Sequence, residues 1–264
     1  MDQVAKIQAI YRYPVKGLTP EPLARTTLSP GGTLPADRLY AIENGPSGFD
    51  PQAPQYFPKM RFLMLMRNAR LAELRTAFDE DSHVLTVRYE SREAARGDLR
   101  TAAGRAAIER FFAEHCADEL RGPARVLHSP GHSFSDVAKK VVSIINLASV
   151  AELENAAGAP IDPLRFRGNL HLTGWPAWHE FDLLGAEIAI GPNNGRTPAR
   201  LRIIKRIVRC AATEVDPDTA IRDLPIPRLL MDSYGHADCG VYAEVIEGGD
   251  IAAGDAVEVR GALL

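Results

Sequence analysis

At 264 residues, 45% hydrophobic and 25% charged, the chain can fill one large domain or two modest ones, and is too apolar for a disordered polymer. Its net charge of −3 leaves no excess of Lys and Arg to neutralise phosphates, which argues against a nucleic-acid partner. The opening Met1-Asp2-Gln3-Val4-Ala5-Lys6 lacks an apolar signal region, and no apolar run reaches the ~20 residues that span a bilayer.

The expectation is therefore a cytoplasmic protein with no membrane partner. Cys116, Cys210 and Cys239 are far apart and lack C-x-x-C spacing, which fits neither a disulfide framework nor a structural zinc site.

In chain order, residues 4–13 are rich in β-formers and stop at Pro14. Strands are predicted over 23–28 and 39–42, separated by Ser29-Pro30-Gly31-Gly32. Two more, 71–78 and 84–89, flank a hairpin loop at Asp79-Glu80-Asp81-Ser82. The period then changes. Ile108, Phe111, Phe112 and Cys116 share one helical face, between connecting chain at 92–104 and 121–123, where a domain boundary is expected.

Beyond it, strands are predicted at 141–145, 170–173, 187–190, 201–208, 239–246 and 256–259. Asn146 caps a helix ending before Gly158 and Pro160, and a second short helix fits 224–234. Asn193, Asn194 and Gly195 suggest a turn. Many short strands with Gly and Pro turns favour a mainly β fold, barrel or sandwich, with short helices. No glycine-rich phosphate loop supports a nucleotide-binding α/β fold.

The sharpest chemical feature is Lys205-Arg206-Ile207-Val208-Arg209-Cys210. Nearby cations favour a thiolate, the form that soft metals and electrophiles take. Alternation places Arg206 and Val208 on the face of Cys210. An inert buried cysteine fits the same residues equally well. Cys116 continues an apolar helical stripe and Cys239 opens an apolar strand, so both read as core.

Ser, His and Asp cluster within residues 128–136, but without a nucleophile elbow, and read as a polar loop. The histidines lack zinc-site spacing. Lys16, Arg38 and Arg167 fall where strands end, and Ser149 lies in the first turn of the helix capped by Asn146. Cations and a helix start suit an anion if they converge in space; singly, each is an ordinary surface charge or cap. Trp175 and Trp178 fit packing better than a ligand cavity, and Glu180 and Asp182 fit a solvated loop better than a substrate contact.

Several segments together resemble a known family. Tyr13-Pro14-Val15-Lys16-Gly17 and Asp37-Arg38-Leu39-Tyr40 resemble the N-terminal β-barrel companion of MOSC proteins. In the second half, Phe134-Ser135-Asp136, Ala148-Ser149-Val150 and Phe166-Arg167-Gly168-Asn169-Leu170 resemble MOSC segments. So do Arg209-Cys210 through Asp216-Pro217-Asp218-Thr219, and the ending from Gly240-Val241-Tyr242 to Gly254-Asp255-Ala256-Val257.

The resemblance implies an N-terminal MOSC-type β-barrel domain over 1–100, a helical connection over 101–124 and a MOSC β-barrel domain over 125–264. It implies a molybdenum cofactor (Mo-pyranopterin) between the two units, with Cys210 as metal ligand and catalytic thiolate. Lys16, Arg38, Ser149, Arg167 and Asn169 would bind the pterin phosphate and its surroundings. Pyridoxal phosphate binding is a further association of the family.

The implied activity is an oxidoreductase that reduces N-hydroxylated or related N-oxygenated small molecules. With no further cysteine cluster, electrons would come from a separate redox protein. The alternative is a non-catalytic carrier of molybdenum cofactor, or of sulfur as a Cys210 persulfide. Gly17 stands where a serine is frequent, Gly168 where proline is common, and Ala220 where glycine is usual.

Overall fold

The computed structural model of the chain describes residues 4–191 and 197–260; the turn expected at Asn193, Asn194 and Gly195 lies outside them. The strands are β1 (Ala5–Arg12), β2 (Glu21–Leu23), β3 (Arg25–Leu28), β4 (Ala41–Ile42), β5 (Arg75–Phe78), β6 (Val84–Tyr89), β7 (Arg92–Asp98) and β8 (Val126–Leu127). They continue with β9 (Val142–Asn146), β10 (Leu170–Thr173), β11 (Glu187–Gly191), β12 (Ala199–Val208), β13 (Asp238–Glu247), β14 (Gly249–Ala252) and β15 (Ala256–Arg260). The α-helices are α1 (Ala102–His115), α2 (Leu147–Ala157) and α3 (Ile226–Tyr234).

Seven strands close a barrel in the order β10-β9-β13-β12-β11-β15-β1, because β1 pairs with both β15 and β10. Only the β9–β10 pair runs parallel among these, and α2 supplies the crossover that a parallel pair needs. Apolar residues alternate inward: Leu201 and Ile203 of β12, Val241, Ala243 and Val245 of β13, Ile188 and Ile190 of β11. Each Leu, Ile and Val among them contributes about 1.5–3 kcal/mol when fully buried, so this core anchors the fold.

The other unit is an antiparallel meander, β5-β6-β7, with α1 laid against it. Ile108 and Phe112 of α1 join Leu85, Val87 and Leu99 in a second core. Thr101 caps α1, its hydroxyl accepting from Gly104 N at 3.0 Å. A Cβ on Gly97 would fall 2.2 Å from the Gly104 carbonyl, so strand and helix meet where neither carries a side chain.

Two expectations change. Within 71–78, residues Ala69–Glu73 form 3-10 turns and only Arg75–Phe78 is strand. The buried Leu71 and Leu74 are three apart, which matches a turn of that period and not an alternating strand. Residues 92–98, expected as connecting chain, form β7; its sequence REAARGD shows no apolar alternation, and its pairing comes from β6. The short β8 and β14 carry too few residues to show a period.

Chain order and spatial order part at the N-terminus. β1 belongs to the barrel, and β3 pairs with β14. The segment that follows β1 thus leaves the barrel wall and lines a cleft between the two cores. Among the described residues, no helix is long and apolar enough to cross a membrane.

Candidate functional site

Cys210 lies just past the end of β12, in extended backbone that opens a 3-10 turn over Ala211–Glu214. Its side chain is part-exposed and lines a cavity of about 220 Å³ together with Lys16, Arg38, Lys59, Arg167 and Asn169. Cys116 and Cys239 are sealed in the cores, where burial pushes both thiols up to about 12.

The cation touching the sulfur comes from across the cleft. Lys59, on a 3-10 turn that starts after Pro58, places Nζ 3.2 Å from Cys210 Sγ and 3.4 Å from Asp136 Oδ2. The other Asp136 oxygen accepts from Lys16 Nζ, which also donates to the Phe134 carbonyl at 2.9 Å. A ladder of charges therefore runs Cys210, Lys59, Asp136, Lys16. Phe134 fixes the loop carrying Asp136 by packing on Phe49 and Phe62.

Burial lowers the Lys16 ammonium, and Asp136 only partly offsets it. Burial acts the same way on Lys59, but Asp136 and Cys210 outweigh it and the net shift is upward. Burial would raise the Asp136 carboxyl, yet the two lysines hold it well below the usual carboxylate range.

Arg38 and Arg167 form the second element. Both sit in left-handed backbone, each with φ 51°, a conformation that costs of order 1–3 kcal/mol and concentrates at functional sites. Their guanidiniums stack on the Tyr13 ring, 4.3 and 4.2 Å from its centroid. Arg38 donates to Asp37 Oδ2 at 2.5 Å and to the Arg167 carbonyl at 3.0 Å, while Arg167 donates to the Leu18 carbonyl at 2.9 Å.

Burial brings Arg167 down to about 10. It also opposes the charge on Arg38, where Asp37 more than compensates. Burial raises the Tyr13 phenol to about 12, so the ring stays neutral between the two cations. Two like charges held side by side suit an anion, though Asp37 already balances part of that charge at Arg38.

Asn169 lines the cavity, but its amide is committed to the frame. Oδ1 accepts from Ser143 N and Oγ at 3.1 and 2.7 Å, and Nδ2 donates to the Tyr11 carbonyl at 3.1 Å. Ser149 is not brought to the cavity at all. It is fully buried, lies 2.8 and 2.9 Å from the two oxygens of Glu180, and accepts from Trp178 N at 2.8 Å. The side chains at the start of α2 thus already hold a carboxylate of the chain itself, to which Asn146 Nδ2 also donates at 2.8 Å.

Glu180, expected in a solvated loop, is completely buried, and burial raises its carboxyl despite these hydrogen bonds. Trp175 packs in the barrel core and Trp178 against Tyr234.

Two of the cations preceding Cys210 have other partners. Arg209 donates to the Cys239 and Phe166 carbonyls at 2.7 and 2.8 Å, and Arg206 stacks on Phe181 at 4.3 Å. β-Bulges between Ile203 and Lys205 and between Arg206 and Val208 break the alternation on which the facing of Arg206, Val208 and Cys210 was expected. Lys59 carried no sequence signal, since it lies in an aperiodic stretch. Asp136 had one in the Phe134-Ser135-Asp136 motif.

At Gly17 the backbone is left-handed (φ +83°), and a Cβ would sit 3.0 Å from the Leu63 carbonyl, so serine does not fit here without strain. At Gly168 the Ile145 side chain occupies the space a Cβ would take.

Among the described residues, no three His, Cys, Asp or Glu side chains cluster as a metal cage. The cleft therefore presents one thiol to a metal, Cys210 Sγ, and to an anion Arg167, with Lys16 and Arg38 each already paired with a carboxylate. That donor set fits a cofactor that brings its own metal ligands and an anionic tail.

Comparison with known proteins bears on the two halves of the chain. The profile of the MOSC N-terminal beta barrel domain matches residues 4–121, and that of the MOSC domain matches residues 129–258. No curated protein matches the chain. The YuaD protein from Bacillus subtilis, a solved structure, is 14% identical over 98% of this chain and 97% of its own, with a TM-score of 0.44. YiiM from Geobacillus stearothermophilus is 20% identical over 46% of this chain and 54% of its own, with a TM-score of 0.34. The chain belongs to the MOSC proteins, with the MOSC N-terminal β-barrel domain preceding the MOSC domain.

Proposed function

We propose that this chain is a cytoplasmic oxidoreductase that holds a molybdenum-pyranopterin cofactor through Cys210 and reduces N-hydroxylated small molecules, using electrons from a separate redox protein. The observation that carries this reading is the accessible Cys210 Sγ beside a cleft that also presents Lys16, Arg38 and Arg167.

Cys210 Sγ is the protein's ligand to the metal, a soft donor held by the rim of a rigid barrel. Arg38 and Arg167, stacked on Tyr13, take the anionic tail, with Lys16 beside them. Asn169, just before β10, ties β9 to β1 beneath them. Lys59 Nζ, backed by Asp136, is a proton-bearing group in contact with the sulfur. The bound cofactor supplies two-electron redox chemistry and oxygen-atom acceptance. The overall reaction, N–OH to N–H plus water, consumes two electrons and two protons.

The test is Cys210→Ser, since oxygen is a harder ligand than thiolate. Protein from a cofactor-competent host should lose most of its molybdenum and its hydroxylamine reduction with an artificial donor, while circular dichroism stays unchanged. Unaltered metal content and rate would contradict the assignment. An adduct of about 32 Da on Cys210, one sulfur atom, in molybdenum-free protein would support the carrier reading instead.

A further inference from the structure

A second chamber of about 330 Å³ adjoins the Cys210 cavity and shares Gly17, Leu65, Arg165, Arg167 and Ala212 with it. Its remaining wall is mostly apolar, with Leu71, Leu74, Leu164 and Val215 prominent. Chambers of this size and character, apolar with a few fixed polar groups, suit small organic ligands.

The polar groups say which kind. Thr19 is committed: its hydroxyl donates to the Leu74 carbonyl at 3.0 Å and accepts from Thr76 N at 3.0 Å. Arg75 is paired with Asp218 at 3.2 Å. Arg165, which is buried, meets Asp223 through both Nη atoms at 2.7 and 2.8 Å, and Asp216 at 2.7 Å. Two carboxylates thus face one guanidinium, so it has no charge to offer an anion. Its Nε has no partner among the described residues and is sealed from the chamber, so it offers a ligand nothing. Arg167 is the other cation in the wall, and in the function proposed above its charge serves the cofactor's anion.

We infer that this chamber binds the neutral apolar or aromatic body of a small molecule, since Thr19, Arg75 and Arg165 in its wall are already paired. This deepens the proposed function and rests on it in one respect: the ligand is the substrate, its body seated beside Ala212, two residues from Cys210. An ion of either sign would be desolvated against leucine without a free partner.

The experiment titrates benzamide into protein from a cofactor-competent host, assayed for molybdenum, while amide chemical shifts are followed. Saturable shifts at Thr19, Leu74 and Ala212 are expected, with benzoate and benzylammonium binding at least about tenfold more weakly. Leu164→Trp changes a side chain that lines only this chamber and should weaken benzamide at least about tenfold at unchanged molybdenum content.

Should that variant not fold, the ranking of the three probes on the wild-type protein decides. Shifts confined to Lys16 and Arg38, no saturable shift, or equal binding of an ion would overturn the inference. The two readings fail separately. Molybdenum-free protein that binds benzamide as described keeps the chamber and counts against the cofactor; molybdenum-loaded protein that ignores benzamide does the reverse.

Discussion

The inside of the barrel and the cleft along its rim share strands but are built on different terms. β12 shows both: Leu201 and Ile203 are buried in the barrel core, while Lys205 and Arg206 line the cleft. Inside, backbone pairing is regular and the side chains are apolar. In the cleft the backbone is left-handed at Gly17, Arg38 and Arg167, bulged along β12, and extended at Cys210 beyond the last ladder bond. A stiff frame holds strained, charged groups in place, and neither region does this alone.

Among the described residues, the barrel wall has a titratable weak point, and it gives the largest expected effect on stability. His171 of β10 is buried against Tyr11, its Nε2 without a partner among the described residues. Burial, with a smaller contribution from Arg209, brings its imidazole down from 6.5 to about 4. The unfolded chain therefore takes a proton first as the pH falls. Stability should be full above pH 6.5 and decline between 6.5 and about 4, by roughly 3 kcal/mol in all. His171→Phe keeps a ring against Tyr11 and should flatten that part of the urea-denaturation profile. An unchanged acid limb would clear His171 of the effect.

In the cleft the expected losses are functional. Arg167→Ala removes one of the stacked cations, and dialysed protein should retain cofactor with an affinity about tenfold to a hundredfold lower, roughly 1.5–3 kcal/mol, at near-normal melting temperature. Normal retention would take Arg167 out of the anion site. Ser149→Ala probes the opposite case. It should leave molybdenum content unchanged and cost about 2 kcal/mol, because Glu180 and Trp178 N each lose a buried partner. Lost metal with intact stability there would return Ser149 to the cofactor site.

The same division governs what was legible in the sequence. Alternation located β10, β11, β12 and β13 to within about two residues, because their inward faces are uniformly apolar. It could not show that β1 closes a ring with strands more than 150 residues away, since pairing leaves no local trace. The Cys210 motif stood out because several unusual residues are contiguous. Lys59 did not, because its partner lies 151 residues on and nothing periodic surrounds it. Ser149 is a related case: a helix start looks open to an anion until Glu180, 31 residues downstream, is seen to take its serine hydroxyl.

Ala220 gives the smallest effect and the sharpest control on the strain argument. Like Arg38 and Arg167 it is left-handed, with φ 60°, at the place where the family's glycine is usual. It closes a turn in which Asp216 accepts from Thr219 N at 2.8 Å and Asp218 N at 3.0 Å, and Ala220 N reaches the Asp216 carbonyl at 3.0 Å. A methyl group in left-handed backbone costs about 1–2 kcal/mol, against which glycine loses about 0.4–1 kcal/mol through a freer unfolded chain. Ala220→Gly should then stabilise by about 0.5–1 kcal/mol, raising the melting temperature by about 2 °C, with cofactor retention unchanged. At Arg38 and Arg167 the same strain holds a guanidinium on Tyr13, so relieving it by glycine should cost the anion site. A stabilised Ala220→Gly beside impaired glycine variants at the two arginines would show that the cleft tolerates left-handed backbone for the side chains it presents. A destabilised Ala220→Gly would mean the strain is not local, and the frame itself depends on that turn.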